Sequence, residues 1–225
     1  MKGEFATVRR LLKGKSIARF GDGELKILEG REYSREPRNA SLTAEMRMVV
    51  DRPHPDCLVA IPTMDPVGPK YRNWLRHEKR FCAHVRRGDG HRYYSAFITR
   101  PDSAADNLES REYVELISQL WVGRERVVVV SEPCSKLLSC VQAANEVVHI
   151  ECQSHGAYAE IDNLEQAVTS AAPTVALLSC GPTATCLANR LAGRGIQGVD
   201  LGSIGGLLLR WMSPSKRTTG APLCD

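Results

Sequence analysis

Short apolar, β-branched runs alternate along the chain with longer segments whose hydrophobic positions recur every three or four residues. The short runs predict strands at 16–20, 57–61, 94–98, 127–131, 147–150, 175–179 and 198–201. Residues 126–130 and 174–178 are apolar without alternation, the pattern of strands covered on both faces. The longer periodic segments predict helices at 4–13, 23–29, 41–50, 70–79, 107–121, 161–171 and 183–192. Pro182 suits a first helical position, and Gly193 and Gly195 suit the end of that helix. Strand and helix in alternation predict an α/β fold: a single Rossmann-like domain with a mostly parallel sheet flanked by helices. No internal repeat or linker interrupts the pattern. Residues 213–225 are dominated by Ser, Thr, Pro, Lys and Gly, so the domain is expected over 1–212 with a flexible tail at 213–225.

Composition narrows the class. With 225 residues, 43% hydrophobic and 25% charged, the chain fits one well-buried globular domain and excludes disorder and coiled coil. No apolar run approaches the roughly 18–20 residues of a membrane helix. Residues 1–15 are charged and lack a signal peptide's apolar core. The cysteines form no C-x-x-C pair, and several sit in apolar runs such as ALLSC. A reduced, cytoplasmic location is the expectation. Cys152 and His155 make only an incomplete zinc spacing.

In open α/β sheets, ligands bind beyond the carboxyl ends of the strands, so the strand-to-helix turns carry the chemistry. The first is Arg19-Phe20-Gly21-Asp22-Gly23-Glu24. Its two carboxylates are candidates for holding a divalent cation, and the cation a diphosphate; equally, Asp22 can cap the helix and Glu24 favour its positive end. The second is Ser179-Cys180-Gly181-Pro182-Thr183-Ala184-Thr185, where free N–H groups and two hydroxyls suit a phosphate, or merely turn the chain. Arg100, ending a predicted strand, can grip a phosphate or pair with a carboxylate. Asp200 ends the last strand, ahead of the glycine-rich loop Gly202-Ser203-Ile204-Gly205-Gly206, read as flexible. P-loop, G-x-S-x-G and dinucleotide G-x-G-x-x-G patterns are absent, which disfavours P-loop ATPase, serine-hydrolase and nicotinamide-dependent chemistry.

Taken in order, the 16–24 block, Ile98-Thr99-Arg100, the stretch 121–132, Gly181-Pro182-Thr183-Ala184-Thr185 and Val199-Asp200-Leu201-Gly202 resemble the GT-D glycosyltransferases, over about residues 5–211. The resemblance implies a Rossmann-like GT-D fold and metal-assisted transfer of a sugar from a nucleoside diphosphate sugar. The family's D-x-E motif falls on Asp22 and Glu24, implicated there in the metal (Mn2+ or Mg2+) and the donor, here expected to be a UDP-sugar. Arg19, Gly21, Gly23, Arg100, Gly181, Pro182, Thr183, Thr185 and Ser203 are the candidate donor-binding residues. Asp22, Glu24 and Asp200 are the candidate catalytic carboxylates. One departure stands out: family members often carry a histidine and then acidic residues after the last strand, where this chain has Ser203, Gly205, Gly206 and Leu207. That departure motivates an alternative, a non-catalytic nucleotide or nucleic-acid binding module on the same fold.

The formal charge of +4 comes from 30 Lys and Arg against 26 Asp and Glu, and it is unevenly spread. The segment Lys70–Arg92 is strongly basic and interleaved with Tyr71, Trp74, Tyr93 and Tyr94 at its margins. Two readings stand: a solvated helix face plus the walls of a cleft for an anionic sugar nucleotide, or the footprint of a nucleic-acid acceptor such as a hydroxylated base. A protein hydroxyl or a lipid-linked glycan are the other acceptor classes.

Overall fold

The computed structural model describes residues 3–62, 80–84, 92–100 and 111–212. The predicted helix at 70–79, most of the basic segment Lys70–Arg92, the start of the predicted helix at 107–121 and the tail at 213–225 lie outside the described residues.

Seven strands form one sheet: β1 (Ser16–Arg19), β2 (Cys57–Ile61), β3 (Tyr94–Ser95), β4 (Arg126–Ser131), β5 (Glu146–Glu151), β6 (Val175–Ser179) and β7 (Gly198–Asp200). Their order is β3-β2-β1-β7-β6-β4-β5, and every pairing is parallel. The helices are α1 (Glu4–Leu11), α2 (Asp22–Leu28), α3 (Ala40–Asp51), α4 (Arg111–Ser118), α5 (Lys136–Cys140), α6 (Ile161–Ala171), α7 (Thr183–Gly193) and α8 (Gly205–Met212). Residues 80–84 are also helical. Among the described residues, no helix is long and apolar enough to cross a membrane.

The unbroken apolar runs are explained by two cores, one on each face. Because side chains alternate along a strand, Val128 and Val130 enter one core with Leu187 and Leu191 of α7. Val127 and Val129 enter the other with Tyr113, Trp121 and Leu208. β4 is therefore valine on both faces, whereas the edge strand β5 is only partly covered.

Two expectations are corrected. The strand predicted over 94–98 lasts two residues, and Ala96–Thr99 is a buried 3-10 turn. The Ser95 hydroxyl accepts the Phe97 N–H at 3.1 Å, a local bond that competes with the sheet ladder. The glycines after Asp200 are not a flexible loop, for Gly205 opens α8. A Cβ there would lie 2.4 Å from the Leu137 nitrogen, so glycine is what lets α8 pack against the start of α5.

The sheet reverses its winding at β1. The chain moves outward from β1 through β2 to β3, then returns from the other side through β4, β6 and β7. β1 and β7 thus end side by side, with Ile17 paired to Val199. A crevice at such a reversal is where open parallel sheets bind ligands.

Candidate active-site cleft

A cleft of about 350 Å³ opens beyond the carboxyl ends of β1 and β7. Arg19, Gly21, Asp22, Gly23, Glu24, Arg100, Gly181, Pro182, Asp200 and Ser203 all line it, joining sequence-distant candidates in one place.

The turn after β1 forms one wall. Gly21 is the N-cap of α2, so Asp22 is its first helical residue rather than its cap. Glu24, in the third position, reaches back to accept the Gly21 N–H at 2.7 Å, closing the helix end with one carboxylate oxygen. Asp22 is exposed; Glu24 is partly covered. Loss of water around the Glu24 carboxyl, helped by repulsion from Asp200, pushes its pKa up to about 7, with the nearby Arg19 acting in the opposite sense.

Asp200 is 3% exposed and both oxygens are engaged. Oδ2 accepts the Arg19 N–H at 3.3 Å and Oδ1 accepts the Gly202 N–H at 3.0 Å, which ties the ends of β1 and β7 together. Burial raises its pKa against the pull of Arg19 and these bonds. The Arg19 side chain donates through Nη1 to the Thr99 hydroxyl, and its guanidinium lies against Gly202, where a Cβ would come within 3.0 Å of it. Arg19 Nε is buried and, among the described residues, has no hydrogen-bond partner. Arg19 is also one of the cleft-lining residues, and a guanidinium there suits an anionic ligand.

Tyr33 and Arg35 also line the cleft, and sequence reading passed over both. The Tyr33 ring covers Gly23 so closely that a Cβ there would lie 2.9 Å from a ring carbon. Desolvation and the charges of Glu24 and Asp22 raise the Tyr33 pKa. Arg35 pairs with Glu132 at 2.9 Å, from the far side of the crevice. Their signal in the sequence is the turn R-E-Y-S-R-E-P just after α2, which carries no motif of its own.

The turn after β6 is arranged differently from the expectation. Gly181 and Pro182 face the cleft, but Thr183 and Thr185 are fully buried. Thr183 donates to Glu36 Oε1 at 2.7 Å, and Thr185 donates to the Arg19 carbonyl at 2.8 Å. Both hydroxyls are engaged in holding the turn and do not point at a ligand. The Ser179 hydroxyl likewise donates to the Gly202 carbonyl at 2.7 Å, fastening the loop after β7.

Among the described residues, no three His, Cys, Asp or Glu side chains converge as a metal-ligand cluster. The oxygen donors of Asp22 and Glu24 nonetheless suit a hard divalent cation. Loss of water is the main cause of the raised pKa at both Glu24 and Asp200, and a cation bound among these carboxylates would favour their ionised forms.

A parallel sheet with a carboxylate-and-arginine cleft at its winding reversal defines a doubly wound α/β protein whose site lies at that reversal. Residues 17–206 match the family described as Glycosyltransferase GT-D fold, and the chain belongs to that family. It is 26% identical over 216 residues to Glycosyltransferase GlyD of Streptococcus pneumoniae serotype 4 (strain ATCC BAA-334 / TIGR4), covering 90% of this chain and 26% of that protein. It is 27% identical over 205 residues to Probable glycosyl transferase Gly of Streptococcus gordonii, covering 86% of this chain and 30% of that protein. The chain therefore spans less than a third of the length of the curated relatives it matches. In structure it superposes with a TM-score of 0.79 on a Streptococcus sanguinis protein described as a new glycosyltransferase (DUF1792), at 24% identity, covering 94% of this chain and 84% of that one. A second solved structure, described as domain of unknown function 1792 with a distinct glycosyltransferase fold, gives 0.81 at 25% identity, with 93% and 79% covered.

Proposed function

We propose that this chain transfers a sugar from a nucleoside diphosphate sugar, with UDP as the nucleotide, to a hydroxyl acceptor. The observation that carries the reading is the cleft itself: the Arg19 guanidinium beside the Asp22, Glu24 and Asp200 carboxylates, with Arg100 on the rim, in a member of a glycosyltransferase family.

Transfer joins the acceptor oxygen to the anomeric carbon and breaks the bond from that carbon to the diphosphate. The departing diphosphate gathers charge, and groups already aimed at it lower the barrier. Arg19 and Arg100 are the cations to meet it, with the backbone of Gly181 and the positive end of α7 beside them. Asp22 and Glu24 are the residues that would hold Mn2+ or Mg2+, which when bound supplies further positive charge to the leaving group. The acceptor hydroxyl must also lose a proton. Asp200 is a poor choice, because both its oxygens are engaged and it is buried. Glu24 can take the proton only while it is not holding the cation, because a bound cation favours its ionised, weakly basic form. Ser203, exposed in the cleft lining, stands in the loop after β7 where the family pattern and this chain differ.

A nucleic-acid acceptor remains tied to the basic segment Lys70–Arg92, and steep weakening of duplex binding with salt is its test. The competing reading, a binding module without chemistry, is motivated by Ser203 in place of the histidine. The decisive experiment is turnover of a nucleotide-sugar panel with and without Mn2+ or Mg2+, alongside Asp22→Ala and Glu24→Ala. Hydrolysis or transfer that depends on both carboxylates supports the enzyme; full activity in both variants overturns the site; donor binding without turnover favours the module.

A further inference from the structure

Glu36 makes no contribution to the cleft surface, yet it bonds to the backing of both walls. It is 2% exposed. Its Oε1 accepts from the Thr183 hydroxyl at 2.7 Å and from the Tyr158 N–H at 3.1 Å. Thr183 begins α7 directly after Gly181 and Pro182, which form one wall. Glu36 closes a tight turn by donating its own N–H to the Tyr33 carbonyl at 3.0 Å, and Tyr33 and Arg35 of that turn belong to the facing wall.

The second acceptor bond extends the connection. The Tyr158 hydroxyl donates to Glu45 Oε2 at 2.6 Å, and Glu45 receives a two-pronged ion pair from Arg190 of α7 at 2.6 and 2.7 Å. α7 is thus held at its start through Glu36 and along its length through Arg190. The Arg35 carbonyl accepts the Gly156 N–H at 2.8 Å, fastening the turn to the same segment that carries Tyr158. Burying a carboxylate is unfavourable unless the groups around it use its acceptor capacity. Here two donors from the β5 and β6 side of the sheet, Tyr158 and Thr183, share a single oxygen of a carboxylate carried by the 33–36 turn.

We propose that Glu36 is a positioning residue that clamps the 33–36 turn to the start of α7 and so sets the separation of the walls that grip the donor. The proposal rests on the reading of this cleft as the nucleotide-sugar site, but the clamp itself is measurable without it.

The test compares wild type with Glu36→Ala, Glu36→Gln, Thr183→Val and the double variant Glu36→Ala/Thr183→Val. Hydrogen exchange is read for segments 33–36 and 181–185, and donor KM and kcat are read with UDP-sugar. Loss of the shared acceptor should speed exchange in both segments together and raise donor KM, each by about tenfold, with kcat far less affected. Glu36→Gln keeps an oxygen acceptor and should restore both readouts toward wild type. Thr183→Val should act in the same direction as Glu36→Ala, and the double variant should add nothing further. If Glu36→Ala does not fold, Thr183→Val decides the exchange arm alone. Faster exchange in one segment only, or a lowered melting temperature with unchanged donor KM, overturns the clamp. A wild-type protein that neither binds nor turns over any nucleotide sugar overturns the functional reading instead, while coupled exchange would still support the clamp.

Discussion

The turns after β1 and β6 look alike in sequence. Each is a glycine-bearing strand-to-helix corner with two polar side chains one residue apart, Asp22 and Glu24 in one, Thr183 and Thr185 in the other. In the fold they diverge. Asp22 and Glu24 line the cleft, whereas both threonines are buried and their hydroxyls bond to Glu36 and to the Arg19 carbonyl. A strand-to-helix corner becomes a site when its polar groups are left for a ligand; when they are already satisfied, the same composition is scaffolding.

The largest test of this division is charge removal in the first corner. Asp22→Asn and Glu24→Gln should each lower kcat by about 10²–10⁴-fold with little change in the thermal melt. Comparable losses from the threonine variants would erase the distinction. A smaller effect, up to about 10²-fold in kcat/KM, is expected from Gly23→Ala, because the added Cβ meets the Tyr33 ring and shifts a cleft wall. In the second corner the expected currency is stability. Thr185→Val leaves the Arg19 carbonyl without its donor and should cost about 1–3 kcal/mol in a urea melt, with a far smaller effect on kcat than Glu24→Gln.

The finest test is pH. Burial raises the Glu36 pKa above its ordinary value of 4.5, so the folded state holds this proton more tightly than the unfolded chain. Its contribution to stability is complete below the unfolded pKa and declines as pH rises through the raised folded value. Glu36→Gln should flatten that part of the stability–pH curve; an unchanged slope would mean that Glu36 is not the group responsible.

Much of the architecture could be read from periodicity because the central strands are long and apolar. Val127 to Val130 face two cores, so no alternation was to be expected, and none occurs. Periodicity failed where a single side chain redirected the backbone, as Ser95 does when it takes the Phe97 N–H. It also misread Gly205, whose role depends on a partner helix nearly seventy positions earlier in the chain. In the cleft, Asp22, Glu24, Asp200 and Arg19 were legible because they sit at strand ends. Tyr33, Arg35 and Glu36 were not, since their importance comes from where an irregular turn folds back across the crevice.

The neighbours β1 and β7 are separated by almost the whole domain, with Ile17 paired to Val199. On a ribosome, the residues of the first corner emerge well before Asp200 and Gly202, and the cleft needs both ends. Closing so large a loop carries an entropic cost, and the two strand ends that frame the cleft come together only when β7 is in place beside β1.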